Sequence, residues 1–197
     1  MRSRLVLARR LAGLGVLPML TATATAVKAS CAIAATTFAA ALGIGSAAAQ
    51  STDYSRLPVD PNSITDSLAY TAAPPAINPD GQPGVRTEYT HREGGTRQIT
   101  TTILVLADPA AATAALDGVA ADVANQQSRP VDVGTGGTMV TGTSPDGTES
   151  VAVLTFTEGN TATTIEFEGP ANDPAPADLV TELGQRQAAA IKTWQTA

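Results

Sequence analysis

Few residues in this sequence could carry acid–base or nucleophilic chemistry, and His91 comes first because it is the only histidine. A serine–histidine–aspartate triad needs a serine and a carboxylate placed beside that ring. The stretch "GTSPD" at 142–146 supplies Ser144, but Asp146 stands where a G-x-S-x-G motif has its second glycine. We therefore interpret His91 as an exposed residue of a β-hairpin and predict no catalytic triad.

Glu166 and Glu168 are the second candidates, in the alternating stretch "TTIEFEG". On a strand they lie on one face, about 6–7 Å apart, a spacing that suits the paired carboxylates of glycoside hydrolysis. The same alternation also describes the solvent side of an edge strand, where charges discourage unwanted strand pairing. We favour the second interpretation and assign no catalytic residues, so the chain is expected not to be an enzyme.

The residue types and motifs of the sequence give little support for a metal or cofactor site. Cys31 is the only cysteine, so a set of cysteine and histidine ligands cannot be built. No calcium loop of the D-x-[DN]-x-[DN]-G type occurs in the sequence. The glycine-rich stretch "GTGGT" at 134–138 matches neither phosphate-binding motif and lies between predicted strands, so we interpret it as a flexible connection. We predict no cofactor and no metal.

The charges are distributed unevenly along the chain, whose formal net charge is −6. Five of the twelve basic residues precede residue 50, and all eighteen acidic residues follow it. A chain that starts near Gln50 therefore carries seven basic residues against eighteen acidic ones. Such a surface repels phosphate backbones, so we expect no nucleic-acid partner.

Residues 1–49 are typical of an export signal. After Lys28, an apolar run extends from Cys31 to about Ile44 and ends in three alanines, which predicts cleavage between Ala49 and Gln50. Because a complete signal begins at Val27, we favour that residue over Met1 as the start of translation. The chain is then secreted, to the cell envelope or the medium, and meets the membrane only in transit. An uncleaved N-terminal anchor is the alternative.

Residues 50–84 form a lead segment rich in proline, which excludes long helices and central strands. Asp60 followed by Pro61 predicts a short helical turn, and "NPDGQPG" at 78–84 predicts consecutive turns. The apolar and aromatic side chains of this segment suggest a strap that binds a partner; they are Tyr54, Ile64, Leu68 and Tyr70.

Residues 85–197 are predicted to form one α+β domain. Alternation predicts a hairpin over 85–91 and 96–107, and Asp108 with Pro109 begins a helix expected to end near 125–127. Its apolar stripe is Leu116, Val119, Ala120 and Val123. Further strands are predicted near 131–133, 138–141, 150–157 and 161–168, before a final helix whose apolar face consists of Leu179, Val180, Leu183, Ala190, Ile191 and Trp194. We expect an antiparallel sheet of about five strands, in the order β-β-α-β-β-β-α, with two helices packed on it.

The stretch "ILVLADPAAATAAL", the three strands after it and the final "AAAIK" together resemble the small exported envelope proteins of mycobacteria and other actinobacteria, the LpqN-like proteins of Mog1/PsbP-like fold. This resemblance covers about residues 96–192 and implies a non-enzymatic binding or accessory protein. We expect a secreted protein that binds a protein partner or an envelope component. An apolar-ligand (lipid) carrier and a hydrolase that uses His91 or the glutamate pair are the alternatives.

Overall fold

The computed structural model describes residues 53–64, 68–94 and 96–197, and its main element is an antiparallel sheet. Two helices accompany the sheet, so the expected α+β class is confirmed, but the expected number of about five strands is wrong. The described residues form eight strands: β1 (Tyr70–Ala72), β2 (Ala76–Ile77), β3 (Gly84–His91), β4 (Gln98–Val105), β5 (Ala124–Pro130), β6 (Thr135–Thr143), β7 (Glu149–Glu158) and β8 (Thr161–Pro170).

The strands follow the spatial order β1-β3-β4-β8-β7-β6-β5, and β2 also pairs with β3, on the edge that β1 occupies. Every pairing is antiparallel. Hairpins connect β3 to β4 and β5 through β8, whereas β4 and β8 pair across a long separation in the chain. The last strand of the domain therefore lies in the middle of the sheet.

One side of the sheet, which we call the core face, packs against the long helix α2 (Ala177–Gln195). Its central side chains are fully buried, as the alternation of apolar residues along each strand requires; they include Ile99, Ile103, Leu154, Phe156 and Ile165. Helix α2 passes close to the sheet at Gly184, where a Cβ atom would lie 2.3 Å from a Leu154 methyl carbon. Trp194 packs partly buried at the edge of this core.

The lead segment covers the rest of the core face. The predicted helical turn is confirmed as a 3₁₀ helix, Pro61–Ser63, capped by the Asp60 carboxylate. The side-chain amide of Gln187, fully buried on α2, accepts a hydrogen bond from Val59 N (2.8 Å) and donates one to Leu57 O (2.8 Å). The prolines leave room only for β1 and β2, two short strands at the sheet edge.

The region after Asp108 differs from its prediction. Asp108 caps α1 as expected, but α1 (Pro109–Ala114) has six residues, and turns replace the predicted helix up to residue 122. The helix already ends at Ala114, and Gly118 within the turns adopts φ +75°, a left-handed conformation that a continuous helix does not contain. The predicted strand near 131–133 is also wrong, because β5 begins earlier, at Ala124. That edge strand is polar and almost wholly exposed, so its sequence has no apolar alternation that would predict a strand.

Candidate binding groove

The second side of the sheet, the groove face, is crossed by residues 109–123, which we call the crossing segment. Its first part is anchored by Ala112, which is fully buried. Its last part is held by Val123, which joins a small apolar cluster with Val140, Val151 and Val153 on β6 and β7. Between these anchors the segment stands over a polar part of the sheet.

A groove of about 390 Å³ lies where the crossing segment leaves the sheet. Its floor consists of two rows of side chains in register across β3, β4 and β8: Glu88, Thr100 and Glu166 in one row, and Arg86, Thr102 and Thr164 in the other. Its wall on the crossing segment is apolar and consists of Ala115, Leu116 and Val119, with Leu104 and Ala162 at one end. The groove thus combines a polar floor with an aliphatic wall.

A second depression, of about 270 Å³, continues from the groove. The two share Val119 and Glu166, and the second adds Asp122 and Glu168. Val119 stands between them with 41% of its surface exposed. The groove face is therefore indented on both sides of a narrow part of the crossing segment.

Glu166 is the carboxylate at the junction of the two depressions. It is half-buried, and it forms no hydrogen bond or ion pair within the described ranges. Burial raises the pKa of Glu166 above its ordinary value. The pKa of Glu168 is raised as well, first by burial and then by the negative charges of Glu166, Glu149 and Glu88. Negative charge therefore accumulates on this face without being neutralised.

Arg86 is the basic residue of the groove floor, and its charge is already engaged. Its Nε donates to the Thr102 hydroxyl (3.2 Å), and its Nη2 lies 3.2 Å from a carboxylate oxygen of Asp80 outside the groove. Glu88, in contrast, receives only a long hydrogen bond of 3.4 Å from the Gln98 amide. The electrostatic balance of the groove is consequently negative.

The prediction that Glu166 and Glu168 share one face of a strand is confirmed. The prediction that this strand lies at the sheet edge is wrong, because β8 pairs with β4 on one side and with β7 on the other. The two carboxylates consequently lie near the middle of the sheet beside the crossing segment. They are part of a concave surface rather than of an open rim.

His91 lies at the end of β3, away from the groove. Its ring meets Tyr70 edge-on, with ring centroids 5.2 Å apart, and its Nδ1 lies within hydrogen-bond distance of the Glu93 backbone. The residue is partly buried rather than exposed as predicted, because β1 brings Tyr70 against it. The structure does not bring His91 together with Ser144 or the glutamate pair in any of the grooves described above.

The stretch "GTSPD" ends β6 and begins the turn that leads to β7. The Asp146 carboxylate accepts hydrogen bonds from the Ser144 hydroxyl (2.7 Å) and from the hydroxyl and backbone N–H of Thr148. These bonds lower the pKa of Asp146 to about 2. The carboxylate thus closes a turn.

The stretch "GTGGT" begins β6 rather than forming a flexible connection. The β6–β7 register shifts between Thr135 and Thr138. At Gly137 a Cβ atom would lie 2.4 Å from the Val133 carbonyl oxygen and 2.6 Å from that of Val131. These glycines therefore allow the backbone to approach itself closely at a bulge.

Three of the four side chains predicted for a partner-binding strap lie against the core of the domain itself. Tyr70 is buried, Ile64 is partly buried, and Tyr54 meets Trp194 edge-on with ring centroids 5.9 Å apart. Leu68 is 69% exposed. Partner binding by these residues stays a prediction.

Sequence reasoning missed the groove floor, although a signal for it was present. Alternation in "VRTEYTH" places Arg86 and Glu88 on one face, and alternation in "TRQITTTI" does the same for Thr100 and Thr102. Aligning these residues with Glu166 requires the pairing of β4 with β8, which are separated by more than fifty residues. No local pattern indicates that pairing.

The predicted cleavage site at Ala49 and Gln50 and the predicted start at Val27 lie outside the described residues. In the described part of the chain, no group of three or more histidine, cysteine, aspartate or glutamate residues is arranged to hold a metal ion. Neither helix of that part has the length and apolar character needed to cross a membrane. No protein family, no curated protein and no solved structure matches this chain.

Proposed function

We propose that this chain is an exported, non-enzymatic protein of the cell envelope that binds a protein partner or an envelope component through its groove face. One observation carries this proposal. A half-buried carboxylate, Glu166, lies without a partner from the described ranges at the junction of two connected depressions. Leaving a charged group partly desolvated costs free energy, which a ligand that contacts it offsets.

Between the sheet and the elements packed on its core face, the described residues enclose little space. Helix α2 and the lead segment pack against this face, and a cavity there, lined by Tyr70, Phe167 and Leu179 among others, measures about 40 Å³. That volume is about a tenth of the 390 Å³ of the groove, and an acyl chain needs far more. For this reason we rank the apolar-ligand carrier below the binding protein.

Glycoside hydrolysis is the second candidate function. Two neighbouring carboxylates, Glu166 and Glu168, line one depression, and burial raises the pKa of both. A general acid needs such a raised pKa. Sugar sites, however, commonly use aromatic side chains for ring stacking, and none of the residues lining either depression is aromatic. We therefore place the hydrolase second.

The proposal is tested by filling the groove. Thr100 lies in the middle of the floor, and tyrosine suits a strand, so Thr100→Tyr occupies the space while preserving the local structure. The matched control is Ala189→Tyr, on the exposed side of α2. The tagged full chain and both variants are exposed to the cell-wall and culture-filtrate fractions of the host, and bound material is identified by mass spectrometry.

We expect that the unmodified chain and Ala189→Tyr retain a common partner or envelope component, which Thr100→Tyr loses. Retention of the same material by Thr100→Tyr would contradict the assignment of the site. Turnover of oligosaccharide substrates that is abolished by Glu166→Gln would replace the proposal with the hydrolase.

A further inference from the structure

The charge and shape of the groove also indicate what kind of ligand it accepts. Resting on the proposed function, we propose that the groove binds an extended basic segment of a partner protein and places a lysine or arginine side chain between the aliphatic wall and the glutamates of the floor. The occupant is thus a positively charged polypeptide.

Charge complementarity is the first step. Glu88 and Glu166 lie in the same row of the floor on either side of Thr100, and Glu168 and Asp122 line the adjoining depression. The one basic side chain lining either depression, Arg86, is engaged by Thr102 and Asp80. A cation from outside therefore meets carboxylates that no basic group of the described residues neutralises.

The lining chemistry is the second step. Leu116 and Val119 face the same space as Glu166, so one wall is aliphatic and the opposite surface is charged. Lysine and arginine have this same division, because their methylene stems pack on apolar surfaces while their charged ends stay at polar groups. A stem laid along Leu116 and Val119 brings the charged end toward Glu166 and the Thr100 hydroxyl.

Length is the third step, and it favours a polypeptide over a small amine. The groove and the second depression are connected at Val119 and together extend from Arg86 on β3 to Ser144 beyond β6. Small-molecule sites usually enclose most of their ligand's surface. This surface is an open, elongated channel, in which a small amine would contact only one part.

Binding is tested with the probe peptide acetyl-tetralysine amide on the ¹⁵N-labelled full chain, followed by amide chemical shifts. Acetyl-tetralysine with acetylated side chains tests the charge, and spermidine tests a free polyamine. Glu166→Gln removes one floor charge, and Glu88→Gln is a second variant in case the first does not fold. Glu93→Gln, at the exposed β3–β4 turn, removes the same charge elsewhere.

We expect tetralysine to shift the amides of Thr100, Thr102, Thr164 and Val119. Glu166→Gln or Glu88→Gln should weaken its binding about twofold to fivefold, the upper part of the range for a single solvent-accessible ion pair, and Glu93→Gln should change it less than twofold. Side-chain acetylation should abolish the shifts, and spermidine should bind more weakly than the peptide.

Equal weakening by Glu166→Gln and Glu93→Gln would show attraction to overall negative charge only and would overturn the inference. Stronger binding of spermidine than of the peptide, or shifts centred on α2, would overturn it too. The proposed function is judged separately: if Thr100→Tyr loses the captured partner while tetralysine leaves the groove amides unshifted, the site stands and its basic ligand is excluded.

Discussion

The two faces of the sheet are built from the same strands, but the rest of the chain covers them to different extents. On the core face, α2 and the lead segment cover the side chains of β3, β4, β7 and β8, and residues such as Ile103 and Phe156 are completely buried. On the groove face, a thin crossing segment covers only part of the same strands and leaves charged and hydroxyl side chains around an indentation. The first face holds the packed core, and the second keeps an open indentation.

The largest expected effect comes from truncating one large side chain on each face. Phe156→Ala on the core face should lower the free energy of unfolding by about 3–5 kcal/mol, because it leaves a cavity in a packed core. Leu116→Ala on the crossing segment should cost about 1 kcal/mol or less, because that side chain is already partly exposed. Urea denaturation of both variants measures the difference.

Similar losses for the two variants would contradict this division, since they would mean that the crossing segment contributes to the core as much as β7 does. A loss of stability below about 1 kcal/mol for Phe156→Ala would also contradict the division, because Phe156 would then not belong to a packed core.

A smaller effect is expected where the lead segment joins the core face. Gln187→Ala removes both hydrogen bonds from the backbone of residues 57 and 59 and should destabilise the chain by about 2 kcal/mol, because buried backbone groups lose their partners. The Val59 amide should then exchange with solvent faster, as hydrogen exchange measures. Lys192→Ala, exposed on the same helix, is the control and should leave that amide unchanged.

Protection of Val59 that survives Gln187→Ala would show that Leu57 and the Tyr54–Trp194 contact hold the lead segment without the glutamine. The lead segment would then be attached to the core face mainly by apolar packing.

The smallest effect concerns pH on the groove face. Burial raises the pKa of Glu166, so its contribution to stability is complete below its ordinary pKa of 4.5 and is lost as the pH rises through the raised value. The pKa of Glu168 is raised as well, first by burial and then by the negative charges of Glu166, Glu149 and Glu88. Between pH 4 and pH 7, Glu166→Gln should therefore gain stability relative to the unmodified chain, by less than about 1 kcal/mol because the site is half open to solvent.

Thermal denaturation at several pH values measures this gain, and Glu93→Gln serves as the control with no burial to relieve. A Glu166→Gln variant whose relative stability does not change with pH would show that Glu166 is fully solvated. Glu166 would then not be a partly desolvated carboxylate of the groove, and the observation behind the proposed function would be removed.

The difference between the faces also explains what the sequence could predict. Strands with one buried face, such as β8, and the apolar side of α2 follow from periodicity, and the Asp60 and Asp108 caps follow from local residue types. The edge strand β5 is polar on both sides, so its pattern is that of a loop. The apolar stripe after Asp108 predicts a helix to about residue 125, but the helix ends at Ala114 and Gly118 adopts a left-handed conformation in the turns that follow.

The candidate site depends on pairings that local patterns do not contain. Alternation along the chain places Glu166 and Glu168 on one face of a strand. Their place in the middle of the sheet depends on the pairing of β8 with β4, although α1, β5, β6 and β7 come between these two strands in the chain. Likewise, Gln187 is a polar residue in an amphipathic helix, and its burial depends on a lead segment 130 residues earlier in the chain.

Site-specific photo-crosslinking tests the central claim, that binding occurs on the groove face, most directly. A photoreactive benzoylphenylalanine is placed at Val119, between the two depressions, or at Ala189, on the exposed side of α2, and the full chain is irradiated in its host. We expect a discrete adduct from position 119 that is absent from position 189. Adducts from position 189 with none from position 119 would contradict it.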